Sequence, residues 1–316
     1  QAKNDQVKMI EIKLSQGAKP GHGGILPAEK VTAEIAEARG VPLGVDCVSP
    51  SRHSTFSTPL ELMAFIARLR ELSGGKPVGF KLCLGHPWEF MAMVKAMLET
   101  GIRPDFIVVD GAEGGTGAAP VEFSDHMGAP MREGLLLVHN TLVGAGLRDQ
   151  IRIGVAGKII SAFDIASVLA ICADWANAAR GYMFALGCVQ SLHCNTNRCR
   201  TGVATQDPAR QRALVLEDKA ERVYNFHRNT LKALSEMLAA AGLSHPSQLA
   251  PHHLVRRVSG TEVKPFSAMH VFLRPGELLS GACDHEFYRN SWRMAQAHSF
   301  AVVDPLAQAE GLTRRA

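Results

Sequence analysis

Residues 78–111, VGFKLCLGHPWEFMAMVKAMLETGIRPDFIVVDG, read as strand, helix, strand. VGFKLCLG (78–85) is an apolar run of strand length broken by one lysine. Residues 87–99 carry a helical pattern that Gly101 closes. DFIVVDG (105–111) is a second continuous apolar run. Strands that are apolar throughout, rather than alternating, are buried on both faces, as in a parallel sheet covered by helices.

The same unit recurs outward from this stretch. Upstream, VKMIEIKL (7–14) reads as a strand, followed by a glycine-rich loop over 15–24 and a helix over 28–38. LGVDCVS (43–49) reads as a short strand, and PLELMAFIARLREL (59–72) as a helix with Pro59 in its first turn. Downstream come a helix over 132–146, a strand IRIGVAG (151–157) and a helix over 161–173, opened by the capping box Ser161-x-x-Asp164. WANAARGYMFALG (175–187) is the next buried segment, and its ARGYMFALG part alternates like a strand. Residues 208–241 form a long helical region, and 250–316 are mixed. Repeated strand–helix units predict an α/β fold with a parallel sheet. The glycine-, lysine- and cysteine-rich stretches all follow strand C-termini, where a (β/α)8 TIM barrel places its active site. About five barrel-type units are countable. The expectation is a barrel domain over 1–240, lacking its first strands, with a helical C-terminal extension over 241–316. The chain opens without Met and runs almost at once into an apolar stretch, which reads as a piece of a longer protein.

The chain has 316 residues, a net charge of +4 and 46% hydrophobic residues, an ordinary composition for a globular enzyme. Lys and Arg are scattered and aromatics are few, so no nucleic-acid surface is expected. No uncharged apolar run reaches membrane-spanning length, and no signal peptide opens the chain. Any anchor would lie upstream of Gln1. Of seven cysteines, Cys47, Cys83, Cys172 and Cys283 are isolated. This is not a disulfide framework, and it predicts a reducing, cytoplasmic setting.

The other three, Cys188, Cys194 and Cys199, lie in GCVQSLHCNTNRCRTGVATQD with gaps of five and four residues. The run reads as a loop leaving a buried strand. Three neighbouring thiolates suit a soft metal centre, either an iron–sulfur cluster or zinc. Zinc usually takes four ligands and C-x2-C pairs, so a three-iron cluster, or a four-iron cluster with an outside ligand such as His193, fits the spacing better. Three unligated thiols are the bland alternative.

Two further blocks stand out: Lys13-Leu-Ser-Gln-Gly-Ala-Lys-Pro-Gly-His-Gly-Gly24 and Gly111-Ala-Glu-Gly-Gly-Thr-Gly-Ala-Ala-Pro120. The second follows a strand but is not a dinucleotide fingerprint, since no strand–GxGxxG–helix unit surrounds it. Its glycines, Gly114 and Gly115 among them, suit a backbone passing close under a flat ring or cluster.

Together the three blocks resemble, in order, the K-x-x-QGAKPGEGG, G-x-[DE]-GGTGA-x-P and GC-x5-C-x4-C-P-x-GVATQDP loops of glutamate synthases. The likeness covers about residues 5–232 and is nearest to the stand-alone FMN-binding branch without an amidotransferase part. The resemblance implies an FMN-binding barrel with a 3Fe-4S cluster on Cys188, Cys194 and Cys199. It implies reductive amination of 2-oxoglutarate with ammonia to L-glutamate. Lys13, Gln16 and Lys19 become the dicarboxylate contacts, with Glu113 a polar contact near the substrate. Lys81, costly inside an apolar strand unless paired or functional, matches a flavin-binding lysine. Gly154, Gly157 and Lys158 after one strand, and Arg180 and Gly181 after the next, are the expected phosphate site, with the helix from Ser161 pointing its positive end the same way. Turn glycines, snorkelling lysines and a solvated carboxylate are the structural alternatives for these residues one by one.

Two departures matter. Arg200 stands where the family has Pro, and His22 where it commonly has Glu. No amidotransferase nucleophile is present, so ammonia must come from solution, another segment or an amidotransferase partner; an electron-donor subunit and a homo-oligomer are compatible with the sequence. Alternatives are a related flavoenzyme using another amine or 2-oxo acid, such as an N-methylglutamate synthase, or a non-catalytic electron-transfer subunit.

Overall fold

The computed structural model describes residues 2–115 and 117–303. Thr116 of the glycine-rich block and residues 304–316 of the expected extension lie outside these.

Five parallel strands form one sheet in sequential order: β1 (Ile10–Lys13), β2 (Val78–Leu82), β3 (Phe106–Asp110), β4 (Arg152–Ala156) and β5 (Trp175–Asn177). Helices α1 (Pro59–Leu72), α2 (Pro87–Thr100), α3 (Met131–Gly144) and α4 (Ala162–Ala170) supply the crossovers. This is a run of consecutive barrel-type units, as the strand–helix repetition predicts. Among the described residues β1 and β5 are the sheet's two edges and do not bond to each other.

Start and stop signals act as expected. Thr58 and Ser161 cap α1 and α4 with full capping boxes, through Glu61 and Asp164. Pro87 opens α2, and Gly101, left-handed at φ 70°, closes it. Val78, Phe80 and Leu82 of β2, Ile107 and Val109 of β3, and Ile153 and Val155 of β4 turn to the helices and build one core. The alternate residues face inward. There, successive strands align Lys13, Lys81, Val108, Gly154 and Trp175 in one row. Phe106 lies over Gly79, and the Trp175 indole over Gly154, where a Cβ would fall 2.3 Å from the ring.

Three expectations need correction. Residues 43–49 give only Cys47–Val48, paired antiparallel with Ile25–Leu26 and outside the main sheet. ARGYMFALG is no strand, because α5 (Arg180–Ala185) occupies it, so the cysteine run leaves a short helix. Gly154 sits within β4 rather than in the loop after it, and its missing side chain makes room for Trp175.

Residues 208–241 divide into Pro208–Gln211 and a longer helix, α6 (Leu216–Ala240). Beyond it the chain is less helical than expected: a hairpin of Val255–Arg257 with Val263–Pro265 precedes α7 (Glu286–Met294). This stretch docks on the barrel helices. Buried Asn140 of α3 donates to the Val271 carbonyl and the Tyr288 hydroxyl, both at 2.8 Å, and accepts from Leu273 N–H at 3.0 Å. All its amide groups are thereby satisfied, as burial requires. Lys95 of α2 donates to the Ala295 carbonyl and lies over the Trp292 ring.

Candidate active site at the C-terminal ends of the strands

The inner face turns polar where the strands end. Lys13 and Lys81 are register partners at the ends of β1 and β2. Lys81 Nζ lies 3.9 Å from a carboxylate oxygen of Asp110, and both side chains are largely buried (24% and 13% exposed). Burial first, and then the Lys81 and Lys19 ammoniums, hold Lys13 below the ordinary lysine range; Asp110 and Glu11 pull the other way.

The chain after β1 turns sharply. Gly17 packs on the chain after β3, where a Cβ would fall 2.2 Å from the Gly111 carbonyl, and Ala18 is fully buried at φ 65°. Ser15 ties this turn to β2, its hydroxyl donating to the Cys83 carbonyl and accepting from Cys83 N–H. Against the loop lies a pocket of about 390 Å³. Lys13, Gln16 and Lys19 line it, as the dicarboxylate expectation requires, and so do Arg39, Arg52 and His53. No Asp or Glu lines it among the described residues. His22 also faces it and stands edge-on to Phe123.

The glycine-rich block packs tightly. A Cβ at Gly114 would crowd the Asp110 carboxylate and the Gly111 carbonyl, each at 3.0 Å, and Gly115, at φ 84°, faces Ala18. Glu113, expected as a polar contact near the substrate, is engaged by the backbone of α3. Both its carboxylate oxygens accept from Met131 N–H, at 3.0 and 2.9 Å. It therefore caps α3, whose preceding residue, Pro130, supplies no side-chain cap.

The expected phosphate residues are only partly gathered. Gly157, at φ 140°, lies against Gly111 and within 3.7 Å of a Cβ position on Gly114. Arg180 donates to the Gly115 carbonyl at 2.8 Å. Lys158, left-handed at φ 48°, pairs with Asp125 at 3.0 Å. Gly181 is explained by packing, because Phe226 of α6 occupies the space of its Cβ. At the N-terminus of α4 the capping box forms as expected, and the Asp164 carboxylate accepts from Ile160 and Ser161 N–H. The residues that suit a flavin are thus Lys81, the close-packed glycines Gly114, Gly115 and Gly157, and the two cations Lys158 and Arg180 on exposed partners.

The cysteine loop bears three non-glycine residues at positive φ: Gln190, Leu192 and Asn197. Asn197 and Thr205 bind each other, and Gln206 N–H donates to Asn197, so the GVATQD segment closes the loop on itself. Burial pushes the Cys199 thiol up, but hydrogen bonds from the Thr201 hydroxyl and the N–H groups of Ala204, Thr201 and Val203 outweigh it and leave Cys199 below the ordinary thiol range. Such sulfur-directed donors and three soft ligands on one loop fit a metal–thiolate centre in their chemistry. Among the described residues, no three His, Cys, Asp or Glu side chains are drawn together as a metal site.

The three blocks, far apart in sequence, meet. Lys30 Nζ donates to the Cys194 carbonyl at 2.6 Å, and Asn197 to the Glu29 carbonyl at 3.3 Å. Gly117 of the glycine block abuts Leu192. Gly17 and Ala18 abut Gly111 and Gly115. Sequence reasoning passed over Asp110, Arg39, Arg52 and His53. Asp110 carried one signal, a carboxylate ending an otherwise apolar strand beside one that holds a lysine.

Comparison with known proteins identifies a family. Residues 2–244 match the family described as the conserved region in glutamate synthase. A glutamate synthase large subunit-like protein, YerD, of Bacillus subtilis is 42% identical over 270 residues, covering 85% of this chain and 51% of the relative. Archaeal glutamate synthase (NADPH) of Methanocaldococcus jannaschii is 39% identical over 236 residues, covering 74% and 46%. The chain thus spans about half the length of these relatives. A solved structure, the flavin-binding domain of baker's yeast flavocytochrome b2, aligns at 12% identity with a TM-score of 0.43, over 87% of this chain and 52% of that one. With most of its length matched, this chain belongs to the glutamate synthase family.

Proposed function

We propose that the chain carries the synthase site of a glutamate synthase: FMN-dependent reductive amination of 2-oxoglutarate with ammonia to L-glutamate. The observation that carries the reading is the meeting of three loops, one cationic, one glycine-rich and one bearing three cysteines, at the C-terminal ends of parallel strands.

Lys13, Gln16, Lys19 and Arg52 hold the two carboxylates of the oxo acid, which need a cation or amide donor at each end. The pocket's lack of Asp and Glu favours a dianion. Ammonia condenses with the bound oxo acid to give 2-iminoglutarate, and release of water at that step draws on the protons of the neighbouring ammoniums. Bound FMN would supply hydride to the imine carbon while the imine nitrogen takes a proton from a neighbouring ammonium, and a 3Fe-4S cluster would supply the flavin with electrons. Lys81, facing inward from β2, sets the positive charge next to the flavin ring, while Gly114, Gly115 and Gly157 let the backbone approach it. Lys158 and Arg180 give the phosphate its charge by exchanging their present partners, Asp125 and the Gly115 carbonyl. Cys188, Cys194 and Cys199 hold the cluster.

The decisive experiment counts FMN and iron in protein purified without air, then assays glutamate formation from 2-oxoglutarate and ammonium under reducing conditions. FMN with about three irons, and loss of iron in Cys194→Ser, are the expected results. Folded protein that takes up neither cofactor on reconstitution overturns the reading. Turnover with methylamine in preference to ammonium redirects it to the N-methyl product.

A further inference from the structure

Asp110 is a hub. It ends β3 on the inner face, between the strand that presents Lys81 and the one that leads into Gly157. One carboxylate oxygen, Oδ2, faces Lys81 Nζ at 3.9 Å. The other, Oδ1, lies 3.0 Å from the place a Cβ would take at Gly17 and equally 3.0 Å from that place at Gly114. The carboxylate is therefore wedged between the first turn of the cationic loop and the glycine-rich block. A side chain at either glycine would displace it. It is only 13% exposed, so its charge acts with little screening by solvent. Its field reaches Lys13, whose ammonium it favours, and Cys83, whose thiol is pushed up to about 12 by burial and then by Asp110 and Glu113.

Two lysines side by side in register repel each other, and burial disfavours the Lys13 charge. Asp110 is the carboxylate beside them, 3.9 Å from Lys81 Nζ, and its charge favours the Lys13 ammonium. We propose that Asp110 is a positioning residue, the common counter-ion that orients Lys81 and keeps Lys13 charged, and so sets the charge that the two lysines present to flavin and oxo acid. The proposal rests on the synthase reading for what the lysines face, but its first test does not need a cofactor.

In apoprotein, Asp110→Asn makes the Lys13 amine more often neutral. Its labelling by trinitrobenzenesulfonate at fixed pH, located by peptide mass mapping, should rise by about threefold or more, a shift of half a pKa unit. Asp110→Ser removes the same charge and needs less room between Gly17 and Gly114, so it serves if the Asn variant does not fold. An unchanged rate in folded variants of either kind overturns the proposal. In FMN-loaded protein, Asp110→Asn leaves Lys81 without the partner that orients it toward the ring, so the anionic reduced flavin is less stabilised. The reduced-to-oxidised ratio at a fixed potential should shift about tenfold, ~30 mV for a two-electron couple. In a Lys81→Met background the shift from Asp110→Asn should fall below about twofold, because Asp110 acts through Lys81. Equal shifts in both backgrounds overturn the positioning role. If wild-type protein takes up no FMN, the synthase reading fails, and the labelling experiment alone decides the role of Asp110.

Discussion

Gly117 of the glycine-rich block touches the backbone of Leu192 in the cysteine loop: a Cβ on Gly117 would fall 2.6 Å from the Leu192 Cα. Leu192 is itself left-handed, at φ 58°, so it has little freedom to withdraw. The contact joins the segment expected under the flavin to the segment expected around the cluster. Gly117→Ala should therefore unseat the cysteine loop at a cost of about 1–3 kcal/mol. The expected outcome is faster proteolysis between Cys188 and Cys199 and lower iron uptake, with little change in the strand–helix core. A variant that keeps wild-type protease resistance in this loop counts against the coupling.

The short helical turn Ala28–Lys30 that follows the cationic loop reaches the cysteine loop too, through Lys30. Its ammonium donates to the Cys194 carbonyl at 2.6 Å and is half-buried. A charged donor to a carbonyl is worth about 1.5–3 kcal/mol where solvent does not screen it, and less at this half-buried site. Lys30→Met keeps the stem and deletes the donor. Local hydrogen exchange over 193–197 should quicken several-fold while exchange in β2 and β3 stays unchanged.

Most of the scaffold was legible in the sequence because its signals are local. Continuous apolar runs gave β2, β3 and β4, and Pro59, Ser161 and Gly101 marked helix ends through hydrogen bonds spanning three or four residues. What misled was patterning whose cause lies elsewhere in the fold. ARGYMFALG alternates like a strand, yet Gly181 and Tyr182 sit in a helix that packs on Phe226 of α6. Gly154 looked like a phosphate-loop glycine, but its neighbour Trp175 lies 21 positions along the chain and beside it only in the sheet. The site was legible through motif likeness where residues are contiguous, as in 13–24 and 188–199. Arg39 ends the helix Ala33–Arg39 and Arg52 follows in a loop, and only the folded chain brings them to the pocket that Lys19 lines.

Glu113 offers a clean separation of structural from chemical roles. Its carboxylate takes the first N–H of α3 with both oxygens, where a negative charge also favours the helix dipole. Glu113→Ala should cost about 0.5–2 kcal/mol of stability, read as a lower Tm. Glu113→Gln keeps an acceptor and should cost less. The KM for 2-oxoglutarate should stay within about twofold in both. A rise in KM with unchanged Tm would return Glu113 to the substrate.

The cationic pocket predicts a different signature. Lys19→Met and Arg52→Met each remove one charge from a pocket that no carboxylate lines. Each should raise KM for 2-oxoglutarate by about tenfold, the equivalent of 1.4 kcal/mol, with kcat nearly unchanged, because the carboxylates are held alike before and during reaction. Added salt should weaken binding in the wild type and do less in either variant. Equal loss of kcat and kcat/KM would mean that these residues act on the reacting carbon rather than on the carboxylates.

Acid sensitivity should come from beneath the sheet, at His139 of α3. Burial, and then the Arg148 guanidinium, push its imidazole down to about 4, with Asp174 opposing. Arg148 Nε donates to His139 Nδ1 at 3.2 Å, so the ring accepts there and is held neutral. The same guanidinium ties the Cys172 carbonyl and Asp174 together, which leaves His139 no room to take a proton without breaking the cluster. An unfolded chain binds this proton near pH 6.5, whereas the folded chain resists it to about pH 4. The unfolded state therefore holds more protons between these values, and stability is fully present above pH 6.5 and is lost as pH falls toward 4. The loss attributable to this residue is roughly 2–3 kcal/mol. His139→Gln keeps an acceptor for Arg148 and cannot charge. Denaturant titrations from pH 7 to pH 4 should show a flatter acid limb in the variant, by about that amount, even if its stability at pH 7 is slightly lower. Parallel limbs for the two proteins would place the acid-labile group elsewhere.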